Sequence, residues 1–176
     1  VSGRLTGADS GVGRLSEPSD VVNAVLSAFA GVGSEDASLP DLTGLTFAVS
    51  AGGTREPIDP VRYLGNRSSG RFGTAIARLA SECGAKVVLV ESNVAADVLA
   101  KAGDVEIRHA PRALDVREAM EMLSSEADVL VMSAAVADFR PAVVSSTKQK
   151  KSGESTRTIK LVENPDILAG LASSRR

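Results

Sequence analysis

Three stretches of this sequence carry residue types that can handle a phosphorylated ligand. The first is Ala51-Gly52-Gly53-Thr54, continued by Asn66-Arg67-Ser68-Ser69-Gly70. Gly52 and Gly53 permit positive φ and a close approach of backbone to ligand. Ser68, Ser69 and Gly70 stand just ahead of a helical pattern, where unpaired N–H groups and the helix dipole favour an anion. A phosphate suits that place, and so does plain capping of a strand-to-helix connection. The second stretch is Ser133-Ala134-Ala135-Val136-Ala137-Asp138-Phe139-Arg140-Pro141. Its small residues leave room for a base or sugar, and exposed backbone groups there can pair with a nucleobase edge. Asp138 can bind Mg2+ or a ribose hydroxyl, or else cap a helix or pair with Arg140. The third is Lys148-Gln149-Lys150-Lys151, three ammonium groups in four residues. They attract a triphosphate, or else form a solvated charge run.

The elements that must position these stretches follow from apolar spacing. Residues 1–20, rich in Gly and Ser, read as a loop or flap. Val21, Val22, Val25, Leu26 and Phe29 predict a helix over 19–29, capped by Ser19 or Asp20 and closed by Gly31. Residues 31–40 are small and polar, as a linker is. A strand over 46–50 leads into a long loop with Pro57 and Pro60. A helix follows over 71–82, with Phe72, Ile76 and Leu79 on one face and Gly84 at its end. Then come a strand over 86–90, a short helix over 93–102 and a weaker strand over 105–109. Val116, Ala119, Met120 and Leu123 form the stripe of a helix over 115–124. The unbroken apolar run of a strand over 128–133 predicts burial on both faces. A strand over 158–162 precedes a last helix opened by Pro165. This alternation predicts an α/β fold, a Rossmann-like, doubly wound, mainly parallel sheet. Ligands in such sheets sit at the carboxyl ends of the strands, where the first two stretches lie. The loop after the first strand is long against the ~2–6 residues usual in βα connections.

Composition excludes several classes. At 176 residues the chain can bury one core. A net charge of −2, 3% aromatics and no Trp argue against a nucleic-acid partner. No apolar run nears the ~20 residues of a membrane span, and no secretory leader is visible, so a cytoplasmic location is the expectation. The single cysteine, Cys83, cannot form an internal disulfide and reads as a small core hydrophobe. His109, the single histidine, reads as a satisfied edge histidine rather than a base.

The strings SAGGTREPIDPVRYLGNRSSGRFG, SAAVADFRP, KQKK and ENPDIL resemble, in the same order, the phosphopantothenate–cysteine ligase family over residues 45–176. Thr6 to Pro18 resembles the tail of the flavin-dependent phosphopantothenoylcysteine decarboxylase, which in many bacteria precedes the ligase in one chain. The resemblance implies a decarboxylase tail over 1–33, a linker over 34–44 and the N-terminal part of a ligase domain over 45–176, with the sheet incomplete at Arg176. The start at Val1 fits a fragment. Gly7 stands where the decarboxylase family has its proton-donating cysteine, so that role is not carried over. FMN would belong to the decarboxylase domain alone.

For the ligase the resemblance implies amide formation between 4'-phosphopantothenate and L-cysteine, a step of coenzyme A biosynthesis. CTP with Mg2+ first makes an acyl-cytidylate, and the amine of cysteine then displaces CMP. Lys148 matches a lysine on the nucleotide's phosphates. Asp138 matches a nucleotide-binding aspartate and a candidate Mg2+ ligand. Gly52, Gly53, Ser68, Ser69, Gly70, Ala134, Ala135 and Ala137 fall in the nucleotide-binding strings. Asn66 matches an asparagine needed when cysteine attacks. A neutral carboxamide can donate to the growing oxyanion without adding charge; otherwise Asn66 is a turn residue of positive φ. Arg62 matches an arginine holding the anionic substrate, or else forms a surface ion pair with Glu56 or Asp59. Asn164 helps close the site, or caps a helix ahead of Pro165. A homodimer through the ligase domain is implied, and a higher oligomer in the fusion.

Two other readings compete. A nicotinamide or flavin oxidoreductase requires a Gly-x-Gly-x-x-Gly fingerprint and an acidic residue after the second strand; Glu91 is present and the fingerprint is absent. A non-catalytic nucleotide-binding remnant is the third.

Overall fold

A computed structural model describes residues 2–4, 10–12, 18–29, 39–150, 153 and 155–174. Two compact units, Val1–Asp41 and Leu42–Arg176, divide the chain. In the first, strands β1 (Ser2–Arg4) and β2 (Ser10–Val12) pair antiparallel, and helix α1 spans Pro18–Phe29. The helix begins at Pro18, so neither Ser19 nor Asp20 is its cap. Proline suits a first turn because its missing N–H would have had no partner there. The string around Gly7 lies outside the described residues.

The second unit begins with β3 (Thr46–Gly52), β4 (Arg55–Pro57) and β5 (Tyr63–Gly65). Then come α2 (Arg71–Glu82), β6 (Lys86–Ser92), α3 (Ala96–Leu99) and β7 (Glu106–His109). Helix α4 (Ala113–Leu123), β8 (Val129–Met132), β9 (Phe139–Pro141), β10 (Leu161–Glu163) and α5 (Ile167–Ser174) complete it. Four parallel strands form the main sheet in the order β7-β6-β3-β8.

Side chains alternate across each strand, and the two faces of β3 bury against different helices. Ala48, Val88 and Val90 pack with Val116, Met120 and Leu123 of α4 and Ile167 and Leu171 of α5. On the opposite face Ala51 meets Gly73 of α2 so closely that a Cβ on Gly73 would fall 2.6 Å from the Ala51 Cβ. Helices thus cover both faces, as the alternating pattern predicts. Leu89, Met120 and Leu123 are among the largest fully buried side chains, each contributing about 1.5–3 kcal/mol by leaving water. Cys83 is buried, as a core hydrophobe should be.

Several expectations need correction. The apolar run of β8 does not make it a doubly buried strand. It lies at an edge of the sheet among the described residues, and all four of its residues are only half-buried. The doubly buried strands are the two inner ones, β3 and β6, each with neighbours on both sides. The last strand is not part of this sheet: β10 pairs antiparallel with β9. It starts at Leu161 rather than 158. Helix α5 starts at Ile167, not Pro165, and Asp166 rather than Asn164 accepts the N–H of Ala169 in its first turn, at 2.9 Å. Helix α3 is shorter than 93–102, because Asn93 at φ 54° turns the chain first. Helix α4 begins two residues before Asp115. The Asp115 carboxylate there accepts the Arg112 backbone N–H at 3.0 Å and two guanidinium bonds at 2.8 and 2.7 Å. The long loop after β3 contains an antiparallel hairpin, β4 with β5, turning at Pro60.

Counted along the chain, the main-sheet strands sit in the order third, second, first, fourth. The direction of winding therefore reverses between β3 and β8. At such a switch point two loops leave the carboxyl edge in opposite directions and open a crevice. Those loops are the Gly52–Gly70 connection and the Ser133–Asp138 segment.

Candidate functional site

The two loops are tied together at the switch point. The parallel pairing of β3 with β8 reaches past both strands to a bridge between Gly53 and Ala135. The Ala135 N–H donates to the Gly52 carbonyl at 2.8 Å, and the Thr54 N–H donates to the Ala135 carbonyl at 3.2 Å. The fully buried Thr54 hydroxyl accepts the Ala137 N–H at 2.9 Å. The Asn66 carboxamide donates to the Val136 carbonyl at 3.1 Å. Ser50, also fully buried, ends β8 by accepting the N–H groups of Ser133 at 3.1 Å and Ala134 at 3.2 Å.

Glycine is required here for two different reasons. Gly52 has φ 92°, and a Cβ on it would lie 2.0 Å from the Ser92 carbonyl oxygen. Gly53 does not have positive φ, contrary to expectation. It is needed for proximity, since its Cβ would fall 2.8 Å from the Asn66 carbonyl oxygen and 3.3 Å from the Ser68 Cβ. Asn66 likewise lacks positive φ, so it is not the left-handed turn residue its flanking Gly65 suggested. Gly70 takes that role, at φ 73° as the residue before α2. Ser68 and Ser69 accept the Gly70 and Arg71 N–H groups at 3.4 and 3.5 Å, long bonds that leave the start of α2 weakly capped.

The loop after β8 does not expose its donors. The N–H groups of residues 133 to 137 are all spent inside the protein, which corrects the expectation of free backbone groups. Its carbonyls each hold two lone pairs and can accept a second bond. Asn164, buried, fixes the far end of this loop. Its Nδ2 donates to the Ala137 carbonyl at 2.7 Å, its N–H to the Asp138 carbonyl at 2.7 Å, and its Oδ1 accepts from Arg140 at 2.9 Å. Arg140 therefore pairs with Asn164 and the Glu163 carbonyl, not with Asp138. The Asp138 side chain is exposed.

A cavity of about 530 Å³ opens between this loop and the start of α5. Met132, Pro165, Ile167 and Leu168 give it apolar walls, and Ala134, Ala135, Ala137 and Asp138 line the other side with Asn164. Glu163 and Asp166 add two carboxylates. An uncharged base and sugar suit that lining better than a triphosphate does. Among the described residues no group of three or more His, Cys, Asp or Glu is placed to hold a metal ion. One carboxylate still fits Mg2+, which keeps several waters and usually takes one or two carboxylates plus substrate phosphates.

Arg62 and Lys148 belong to a second cluster. The Asp59 carboxylate, wholly buried, receives Arg62 Nε at 3.1 Å and Nη2 at 2.5 Å. The Arg62 guanidinium beside Asp59 holds its carboxyl well below the usual carboxylate range, against the opposing effect of desolvation. Arg62 Nη2 also donates to the Gln149 carbonyl at 2.7 Å, next to Lys148. Glu56 is not its partner. That carboxylate is buried and accepts the Ala113 N–H at 2.9 Å, at the start of α4. Lys148 and Lys150 are exposed, and Lys151 lies outside the described residues.

The structure thus joins Gly52, Gly53, Asn66, Ala134, Ala135, Ala137 and Asp138 at one end of the sheet, with Ser68, Ser69 and Gly70 adjoining. Arg62 instead bonds to Gln149, the residue after Lys148. Thr54 and Ser50 were not singled out from sequence; small hydroxyl residues in and just after an apolar strand were the available signal. Asp59 was named as a partner for Arg62, and that pair forms, with the carboxylate buried rather than at the surface. Glu91 offers little to a nicotinamide ribose. It is buried, accepts the Val94 N–H at 3.0 Å and contacts His109 Nδ1. His109 is accordingly a partnered edge residue, as expected. No described helix is long and apolar enough to cross a membrane.

The model of the DNA/pantothenate metabolism flavoprotein C-terminal domain family matches residues 42–176. Over 175 residues the chain is 48% identical to the coenzyme A biosynthesis bifunctional protein CoaBC of Mycobacterium tuberculosis, covering 99% of this chain and 41% of that protein. It is 37% identical over 174 residues to the protein of the same name in Escherichia coli, covering 98% and 40% respectively. The chain therefore spans about two fifths of the length of these curated relatives. The crystal structure of the C-terminal domain of a CoaBC superposes with a TM-score of 0.63 at 36% identity, over 77% of this chain and 61% of that one.

Proposed function

Because the chain belongs to the DNA/pantothenate metabolism flavoprotein C-terminal domain family, we propose that it carries the phosphopantothenate–cysteine ligase step of coenzyme A biosynthesis. The reaction joins L-cysteine to 4'-phosphopantothenate through an acyl-cytidylate made from CTP. The names of the relatives support the pathway. The observation that carries the mechanism is the Asn66 carboxamide bonded to the Val136 carbonyl, two residues from Asp138 at the switch point.

In the first half, carboxylate attacks the α-phosphorus and pyrophosphate leaves. Both reactants are anionic, so cations must offset their repulsion. Lys148 supplies one charge, and Asp138 would hold Mg2+ carried with the nucleotide, which would supply more. The start of α2, with Ser68, Ser69 and Gly70, adds N–H groups and a favourable dipole for phosphate oxygens. The base rests against Ala134, Ala135 and Ala137, whose carbonyls can accept an exocyclic amino group. Cytosine and adenine both present one, so CTP rather than ATP rests on the family resemblance. Arg62 has its Nη1 group left over for an anionic substrate.

In the second half the cysteine amine attacks the acyl carbon and CMP leaves. A carboxamide nitrogen has two N–H donors. Asn66 spends one on Val136 and keeps the other for the developing oxyanion. The fusion to an FMN-dependent decarboxylase, the homodimer and a cytoplasmic location are part of the same proposal.

Asn66→Ala in the native protein tests it. Acyl-cytidylate should still form from CTP, Mg2+ and 4'-phosphopantothenate, while amide formation on adding cysteine slows by roughly 10²–10³-fold, the cost of one oxyanion donor. Quenched-flow product analysis separates the halves. A second half of normal speed removes Asn66 from that role. A wild-type protein that forms no acyl-nucleotide from CTP or ATP rejects the ligase reading in favour of the nucleotide-binding remnant.

A further inference from the structure

Asp59 sits in the turn of the β4–β5 hairpin, with its side chain wholly out of solvent. One oxygen accepts the N–H groups of Val61 and Arg62, each at 2.9 Å. The other accepts Arg62 Nε and Nη2 and, at 3.2 Å, the backbone N–H of Gln149. Arg62 Nη2 in turn donates to the Gln149 carbonyl at 2.7 Å. A single ion pair therefore holds both backbone groups of one residue, 87 to 90 positions away in sequence. The Ser145 N–H adds a third tie, to the Ile58 carbonyl at 3.0 Å.

We propose that Asp59 is the positioning residue of the lysine segment, a buried carboxylate that works through Arg62 and Gln149 to set where Lys148 and Lys150 leave the backbone. With the N–H and the C=O of Gln149 both fixed, the peptide planes on either side of it are fixed too. Those planes orient the flanking lysines. Charge supports the assignment. The Asp59 charge is met by Arg62, so the anchoring carboxylate does not compete with phosphate for the lysines. A hairpin turn needs no such partner, since Val61 and Arg62 N–H groups would occupy one carboxylate oxygen alone. The inference rests on the ligase reading, in which Lys148 meets the nucleotide's phosphates.

The test is steady-state kinetics on the native protein with Asp59→Asn, which keeps the shape and removes the charge. The KM for CTP should rise about tenfold, the size expected for losing a charge-assisted bond, while the KM for cysteine stays within about twofold. Amide exchange at Gln149 should quicken by about tenfold, with the β3 amides unchanged. Replacing the Lys148–Gln149 peptide bond by an ester removes only the N–H that reaches Asp59 and should reproduce the CTP effect if Asp59→Asn does not fold. An unchanged CTP KM in the folded variants, or an equal rise for both substrates, overturns the positioning role. Since wild-type turnover is measured alongside, a missing ligase activity is told apart from a mistaken assignment of Asp59.

Discussion

Thr54 shows how much of the site rests on single polar atoms buried at the end of the sheet. Its N–H and hydroxyl both engage the loop after β8, and it has no exposed surface. Thr54→Val keeps the volume and loses the acceptor. The Ala137 N–H would then be buried without a partner, which costs about 1–3 kcal/mol. Thermal unfolding should report that loss, with a weaker grip on nucleotide; an unchanged Tm would show that water or another carbonyl takes over. Residues of this kind were hard to find from sequence. Asn66 and Asp138 stood in strings already distinctive, but Thr54 looked like part of a turn and Asn164 like a helix cap. What marks them is burial with satisfied bonds, and that depends on partners 27 or 83 residues away. Local spacing carries no trace of such partners.

At the scale of elements, the main sheet and α2 were legible because their apolar residues recur with a clear period. The hairpin was not, since three-residue strands are too short to show alternation. Strand β8 misled in a different way. A run of apolar residues states that both faces are greasy, but not whether a neighbouring strand lies beyond. The connection between β3 and α2 gives the sharpest test. Gly52 combines positive φ with contact against the Ser92 carbonyl and Val94. Gly52→Ala should destabilise by roughly 2–4 kcal/mol, from backbone strain and overpacking together. Chemical denaturation measures this directly. A loss under about 0.5 kcal/mol, the range of an ordinary surface change, would mean that β3 and β6 can part at their ends at little cost.

For the molecule as a whole, two arginine-paired aspartates add to the response to acid. Asp59 is held low chiefly by the Arg62 side chain, and Asp115 chiefly by Arg112. Both folded values lie below the ~3.9 of an unfolded aspartate. Their stabilisation is therefore complete above that value, and it is lost as pH falls through the folded ones. Urea midpoints should fall from pH 5 to pH 2 more steeply for wild type than for Asp59→Asn, which has no proton to bind there. Parallel curves would mean that the unfolded chain keeps the pairing. The bridge from Gly53 to Ala135 has a mechanical corollary. Because the same ladder that makes the sheet continues into the crevice, the two walls cannot spread independently of the strands beneath them. Separation has to start at the rim and run inward like a zip, so the deepest part of the crevice is its stiffest, and compliance is left to the side chains at its lip.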